Sequence, residues 1–208
     1  PKALSALMEV MRHPNKYVRA RAVYLLPYMG KEGEMILRGL LGHKSAGTRL
    51  LAMRSMRAAG ADSLELARLM VGDASHRVLT EVAVSLRDAD PQKKISLVVD
   101  LLSHYNGDRT YLEACGLAAE GVESEVWKNL RPNKKGTASL DWTPELVKIA
   151  WRLKIPEVIK PLQERSASPK LSDADRLFAV DSMAFIDHSG WVPAMVALAK
   201  VPGPVGAS

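Results

Sequence analysis

Three stretches decide the fold: Val18-Arg-Ala-Arg-Ala-Val-Tyr-Leu-Leu26, Thr48-Arg-Leu-Leu-Ala-Met-Arg-Ser-Met56 and Val78-Leu-Thr-Glu-Val-Ala-Val-Ser-Leu86. They align without gaps at an interval of 30 residues, and a fourth stretch, 110–118, follows after 32. Small and apolar residues recur at matching positions one helical turn apart, so each stretch predicts a helix with one buried face. The matching positions form three columns: Ala22, Ala52, Val82 and Ala114; Val23, Met53, Ala83 and Cys115; and Leu26, Met56, Leu86 and Ala118.

An apolar segment precedes each of these stretches, and a polar turn joins the two. Each unit therefore predicts helix A, a turn and helix B. Glycine is the usual residue after a helix end, and Asp90-Pro91 has the form of an N-cap followed by a first helical proline. Pro27 falls inside one predicted helix B and should bend it. The apolar segments are 4–11, 35–41, 64–71 and 95–102, and the glycines that end helix B are Gly30, Gly60 and Gly121.

A helix pair of about 30 residues cannot bury its apolar stripe alone. We therefore expect an all-α fold, a right-handed α-solenoid of about six HEAT-like helix-turn-helix repeats. The regular repeats cover 1–121, and the period then loosens over 122–200, where a polar, basic insertion at 131–141 interrupts the helices. We predict one domain over 1–200, with 201–208 as a tail or linker. The chain starts at Pro1 without an initiator Met, which favours a fragment of a longer protein.

Charge is concentrated near the N-terminus. Residues 1–60 contain eleven Lys and Arg against three acids, which gives this third a net charge of +8. The whole chain has a net charge of +6. A field of this sign favours anionic partners. The single cysteine, Cys115, cannot form an internal disulfide and leaves the compartment open. The sequence has no apolar run long enough to span a bilayer.

The repeat register resembles short HEAT-like repeats of the phycobilisome-lyase type. Three strings, Tyr111-Leu-Glu-Ala-Cys-Gly-Leu-Ala-Ala119, Ile149-Ala-Trp-Arg-Leu153 and Leu171-Ser-Asp-Ala-Asp-Arg-Leu-Phe-Ala179, resemble the helical repeat region of large haem-binding, dehydrogenase-like proteins of planctomycete and verrucomicrobial type. The resemblance implies an exported parent protein with a β-propeller before the repeats and a cytochrome c domain after them. This chain has no Cys-x-x-Cys-His, so it cannot attach haem in the c-type manner, and we expect no cofactor.

Candidate chemical sites have simpler structural interpretations. His13, His43 and His104 occupy equivalent turns, but adjacent repeats should hold them about 8 to 10 Å apart, too far to share a zinc ion. Ser172-Asp-Ala-Asp175 lacks the other calcium-loop residues and favours a helix N-cap. Cys115 falls in a buried column and favours a small hydrophobic role. We therefore predict no catalytic or metal-binding residues in this chain.

A basic surface is the functional feature that the sequence favours. Arg19 shares a repeat column with Arg49, and Arg57 shares another with Arg87, so helix B faces could form a basic stripe. Core packing is the simpler interpretation of Trp151, whereas Trp142, beside the basic insertion, is the tryptophan that we expect to be exposed. The predicted interaction surface comprises Arg19, Arg49, Arg54, Arg57, Arg87, Lys134, Lys135 and Trp142.

Two functions follow from this surface. We expect a non-catalytic scaffold that contacts a protein partner or neighbouring domains of the same parent chain. The alternative is a nucleic-acid-binding HEAT-like solenoid that uses the basic N-terminal third. An enzyme of the lyase type would need a polar pocket with perturbed acids, and no motif in the sequence supplies one.

Overall fold

The computed structural model describes residues 2–130 and 138–199, and all regular structure in these ranges is helical. The predicted all-α class is therefore confirmed for this part of the chain. The predicted tail at 201–208 lies outside the described residues. The helices are α1 (Lys2–Val10), α2 (Lys16–Leu25), α3 (Gly30–Leu40), α4 (Ala46–Ala58), α5 (Ser63–Met70), α6 (His76–Ser85), α7 (Pro91–Ser103), α8 (Arg109–Ala119), α9 (Glu123–Leu130), α10 (Pro144–Leu153), α11 (Ile159–Ala167), α12 (Asp173–Ala184) and α13 (Trp191–Leu198).

The chain divides within α7 into two compact units, Pro1–Leu97 and Val98–Ser208. Short 3-10 turns at Leu26–Met29, Ser139–Asp141 and Pro156–Val158 supplement the α-helices. None of the helices that the structure describes combines the length and the apolar character needed to cross a membrane.

In the first unit, the three predicted B helices lie side by side. Helix α4 contacts both α2 and α6, while α1, α3 and α5 pack against α2, α4 and α6 respectively. All the residues of the three predicted columns are buried, and Ala52, Met53 and Val82 are completely so. The small residues let neighbouring helix backbones approach closely, and burial of the larger ones stabilises the stack.

Pro27 ends a helix rather than bending one, which corrects the sequence prediction. Helix α2 stops at Leu25, and Pro27 lies in the following 3-10 turn. Proline has no N–H, so it cannot donate to the carbonyl of Val23 four residues earlier. The Leu26 N–H and the buried Ser55 hydroxyl of α4 donate to that carbonyl instead, the hydroxyl at 3.0 Å. A polar side chain from the next repeat thus satisfies the group that proline leaves exposed.

The backbone after α2 also packs closely on α3. Gly33 is buried against the 3-10 turn, and a Cβ at this position would lie 1.9 Å from the carbonyl oxygen of Leu26. By contrast Gly39, on the same helix, has nothing within 4 Å of such a Cβ. Only the first glycine is therefore required by packing.

In the second unit, α10 contacts α8 and α12, and α11 packs against α12 and α13. The Arg152 guanidinium of α10 lies over Gly116 of α8, where a Cβ would approach its central carbon to 2.1 Å. Its Nε donates to Glu113 at 2.6 Å, so a missing side chain on one helix makes room for an ion pair between two helices.

Helix caps agree with the sequence prediction at several sites. The carboxylate of Asp90 accepts hydrogen bonds from the amides of Gln92 and Lys93, and α7 begins at Pro91. Thr143 caps α10, and Ser172 caps α12 by accepting from the Asp175 amide at 3.1 Å. Each cap satisfies an amide that the first helical turn leaves without a backbone partner.

Candidate interaction groove

Arg19 and Arg49, which share a repeat column, each donate hydrogen bonds to the carbonyls of the turn before their own helix. Arg19 donates from Nη1 to the carbonyls of His13 and Pro14, both at 2.7 Å. Arg49 repeats this pattern on the carbonyls of His43, at 2.9 Å, and Lys44, at 3.2 Å. These carbonyls follow a helix C-terminus, where a cation is favourable. Both arginines therefore have a structural role within their own repeat.

The turn histidines contribute to the same arrangement. Nδ1 of His13 accepts a hydrogen bond from the Asn15 amide, and Nδ1 of His43 accepts one from the Ser45 amide, each at 3.0 Å. Each imidazole therefore satisfies a backbone amide of the turn that precedes a B helix. In the described residues, no three His, Cys, Asp or Glu side chains form a group suited to a metal ion.

Arg49 also binds a carboxylate of the next repeat. Its Nε and Nη2 bind both carboxylate oxygens of Asp73, at 2.6 and 2.7 Å. Burial alone would raise the pKa of Asp73, but the hydrogen bonds from Arg49 and from the Ser75 amide, with the charge of Arg49, hold that pKa below its ordinary value. Hydrogen bonding to Asp73 likewise raises the pKa of Arg49 against the effect of burial. The charge of Arg49 is therefore matched inside the protein.

Arg54 and Arg57 share one acceptor. The Glu81 carboxylate on α6 accepts from Arg54 Nε at 2.7 Å and from Arg57 Nη1 through its other oxygen. The Glu81 side chain is 11% exposed, whereas that of Arg54 is 52% exposed. One carboxylate thus offsets part of the charge of two arginines, and Arg54 keeps an exposed surface.

The remaining predicted surface residues are Arg87, Lys134, Lys135 and Trp142. Arg87 is exposed and has a loose ion pair with Asp88 at 3.8 Å. Lys134 and Lys135 lie outside the described residues. The prediction that Trp142 is exposed is wrong: the side chain is 5% exposed and packs edge to face on Trp127, with ring centroids 5.3 Å apart. The large apolar area of the two indoles explains why they pack together rather than face solvent.

A groove of about 900 Å³ opens between α2 and α4 and reaches α6. Its floor is apolar and includes the buried Val23 and Leu50 with the half-buried Leu51. Two of the predicted surface residues, Arg19 and Arg54, line this groove. The other lining residues are Met11, Lys16, Tyr17, Ala20, Leu40, His43, Ser45, Gly47, Thr48 and Arg77.

The rim of the groove is positively charged. Lys16, Arg19, Arg54 and Arg77 contribute four cationic side chains, and no Asp or Glu of the described chain lines the groove. Arg54 alone among them makes an ion pair with a carboxylate of the described residues, that of Glu81. Unmatched like charges around a concave surface strengthen the local potential and attract anions. The groove is thus suited to a ligand with negative charge and some apolar surface.

One repeat column shapes the opening. Tyr17, Gly47 and Arg77 occupy equivalent positions in successive B helices, each 30 residues apart. The glycine leaves space between an aromatic ring that is 67% exposed and an exposed arginine. A Cβ at Gly47 would meet only the Ser45 hydroxyl, at 3.7 Å, so packing does not require this glycine.

Sequence reasoning missed Lys16, Tyr17, Gly47 and Arg77 as groove residues. Reading the repeat column by column would have shown a small residue flanked by an aromatic and a cation at the same register position. Nothing in the spacing indicates that Arg49 and Arg57 find carboxylates in the following repeat, because those pairs are separated by 24 residues.

Cys115 agrees with its predicted role as a small hydrophobic residue. Its side chain is completely buried on α8, and burial raises the pKa of the thiol to about 12 despite the opposing effects of Tyr111 and Arg152. A thiol in this state is almost entirely protonated near neutral pH and is a poor nucleophile.

No protein-family model matches this chain, and comparison with curated proteins finds no match.

Proposed function

We propose that this chain is a non-catalytic interaction module, a right-handed α-solenoid of about six HEAT-like repeats that binds a protein segment or neighbouring domain through its B helices. The observation that supports this most directly is the groove of about 900 Å³ on the row of α2, α4 and α6. Stacked helix pairs commonly present such a row as a binding surface.

Cys115, His13 and His43 have structural roles, which also favours a non-catalytic function for this chain. The Cys115 thiol is buried and protonated, and His13 and His43 accept turn amides. The groove is lined by cations, hydroxyl groups and apolar side chains together with His43, whose Nδ1 accepts the Ser45 amide. This combination suits recognition more than proton or group transfer, for which paired acids and bases are the usual requirement.

A peptide selection with a matched variant tests the proposal. A displayed library of random peptides would be selected on the 208-residue chain and on Gly47→Leu, which fills the groove at a position with open space. Leucine is a better helix former than glycine, so the variant should fold normally. We expect families of peptides that bind the unchanged chain and not Gly47→Leu. Failure to enrich any peptide, or equal binding to both proteins, would contradict the proposal.

Nucleic acid binding is the second candidate, and exposed aromatic residues favour it. Tyr17, Tyr24 and Tyr28 are all exposed in the basic first unit, and tyrosine rings can stack on bases. Against it, the carboxylates of Asp73 and Glu81 match the arginines that would extend a basic track along the B helices. Mobility shifts with DNA and RNA at two salt concentrations test this candidate. Micromolar binding that weakens steeply with salt supports it, whereas no binding at low salt rules it out.

The resemblance to repeat regions of haem-binding, dehydrogenase-like proteins extends the proposal to an exported bacterial parent protein in which other domains carry out the redox chemistry. The parent gene provides the test. A propeller encoded upstream and a Cys-x-x-Cys-His encoded downstream would support this part of the proposal. Their absence would refute it and leave the interaction module unaffected.

A further inference from the structure

The floor of the groove indicates that its ligand carries apolar side chains. Val23, Leu50 and Leu51 lie below the opening, with Met11 and Leu40 beside them. An occupant that consisted only of charged groups would leave the half-buried Leu51, Met11 and Leu40 facing water. Removing apolar surface from water contributes about 25 cal/mol per Å², so a ligand with an apolar anchor gains affinity from the same cavity.

The cations at the rim indicate that the rest of the ligand is acidic. Lys16, Arg19 and Arg77 contact no carboxylate within the described residues. Arg19 uses one nitrogen, Nη1, on the turn carbonyls. Its repeat position matches that of Arg49, whose other nitrogens bind Asp73 in the following repeat. The residue equivalent to Asp73 is His43, so Arg19 lacks the carboxylate that its counterpart has.

Carboxylates offset the positive charge on the side of the groove next to α6. Asp73 binds Arg49, and Glu81 binds Arg54 and Arg57, so carboxylates border the groove on the side of α6. A nucleic acid strand needs cations along a track that follows its phosphates. A short peptide needs them only around its anchor, and Lys16, Arg19 and Arg77 line the groove there.

We propose that the groove binds an acidic peptide segment in which apolar side chains are flanked by aspartates and glutamates. The apolar side chains occupy the floor between α2 and α4, and the carboxylates pair with Lys16, Arg19 and Arg77. This inference rests on the proposed function and specifies the partner class of the same groove. Arg19 supplies the clearest subsite, because a ligand carboxylate there reproduces the bidentate pair that Asp73 forms with Arg49.

Fluorescence anisotropy with defined probes tests the inference. The first probe is a short fluorescein-labelled peptide with a leucine pair flanked by aspartates and glutamates. The second has the leucines replaced by serines, and the third has the acids replaced by glutamine and asparagine. We expect the first to bind the 208-residue chain roughly tenfold more tightly than either of the others. Its affinity should fall as salt is raised, because the rim residues Lys16 and Arg77 are exposed.

Two substitutions with the same change in charge locate the site. Arg77→Glu reverses a rim cation in the first turn of α6, and Lys93→Glu does the same in the first turn of α7, outside the groove. An acid in a first turn is compatible with the helix dipole, so both variants should fold. We expect Arg77→Glu to weaken binding of the acidic peptide about tenfold and Lys93→Glu to change it less than twofold.

The outcomes separate this inference from the proposed function. If the neutral peptide or a labelled oligonucleotide binds at least as tightly as the acidic peptide, and Gly47→Leu abolishes that binding, the acidic-peptide inference is wrong although the groove is a binding site. Equal effects of Arg77→Glu and Lys93→Glu would also overturn the inference. If Gly47→Leu leaves the binding of every probe unchanged, the groove is not the binding site and both proposals fail.

Discussion

Alanine substitution at Gly33 and at Gly39 of α3 should change stability in opposite directions. At Gly33 the new methyl group would lie 1.9 Å from the Leu26 carbonyl oxygen and 2.9 Å from Met29 Cβ. Cβ atoms in proteins essentially never come within 3.0 Å of such neighbours, so the 3-10 turn or α3 must move by roughly 1 Å. Overpacking of this kind costs about 1 to 3 kcal/mol. The gain from replacing a helical glycine, about 0.5 to 1 kcal/mol, offsets only part of that cost.

At Gly39 the methyl group meets nothing within 4 Å. Gly39→Ala should therefore raise the free energy of unfolding by about 0.5 to 1 kcal/mol, whereas Gly33→Ala should lower it by about 1 kcal/mol, the difference between the midpoints of the cost and the gain. Urea unfolding followed by far-ultraviolet circular dichroism measures both variants against the unchanged chain. Hydrogen exchange of α3 amides shows whether the change is local. Stabilisation by Gly33→Ala, or equal effects of the two substitutions, would refute the packing of α3 on the 3-10 turn.

Three further predictions concern single buried contacts. Ser55→Ala should lower the free energy of unfolding by about 1 kcal/mol, because it removes a hydrogen-bond donor to the Val23 carbonyl of the neighbouring helix. The Ser85 hydroxyl bonds within its own helix, so Ser85→Ala should lower the free energy of unfolding less in the same urea experiment. The lowered pKa of Asp73 means that its stabilisation is complete above about pH 4 and is lost as the pH falls below that. Protection factors of the α4 and α6 amides, which are corrected for the intrinsic exchange rate at each pH, should therefore fall on acidification, and much less in Asp73→Asn. Because the Cys115 thiol is buried with a pKa of about 12, iodoacetamide at pH 8 should label it in urea and not in the folded protein; labelling of the folded chain at the rate of a free cysteine would contradict its burial.

The repeat register predicted the core of the first unit well. Columns chosen for small and apolar residues at an interval of 30 are buried in the structure, from Ala22 and Val23 to Val82 and Ala83. Helix starts such as Asp90-Pro91 and Ser172 were also predictable, since a cap satisfies amides two or three residues away. These features depend on residue spacing within a helix or a repeat, and that spacing can be read from the sequence.

The candidate site was predictable only in part. Two of its residues, Arg19 and Arg54, belong to the predicted arginine surface, and the N-terminal location of the charge agrees with the groove. Because Arg19 and Arg49 share a repeat column, the sequence pattern predicts the same role for both. In the structure, Arg49 binds Asp73 of the next repeat, and the residue at the corresponding sequence position for Arg19 is His43. That difference gives one arginine a structural partner and leaves the other without a carboxylate.

The sequence by itself determined that this chain is helical, where its B helices lie and which faces they bury, because helical periodicity and the repeat interval are properties of local spacing. Tertiary structure alone decided that Trp142 is buried on Trp127, that Gly33 is required and Gly39 is not, and that Gly47 opens a groove. Each of these outcomes depends on which atoms of a neighbouring element approach within a few ångströms. Such distances are set when the helices pack, and no pattern along one helix contains them.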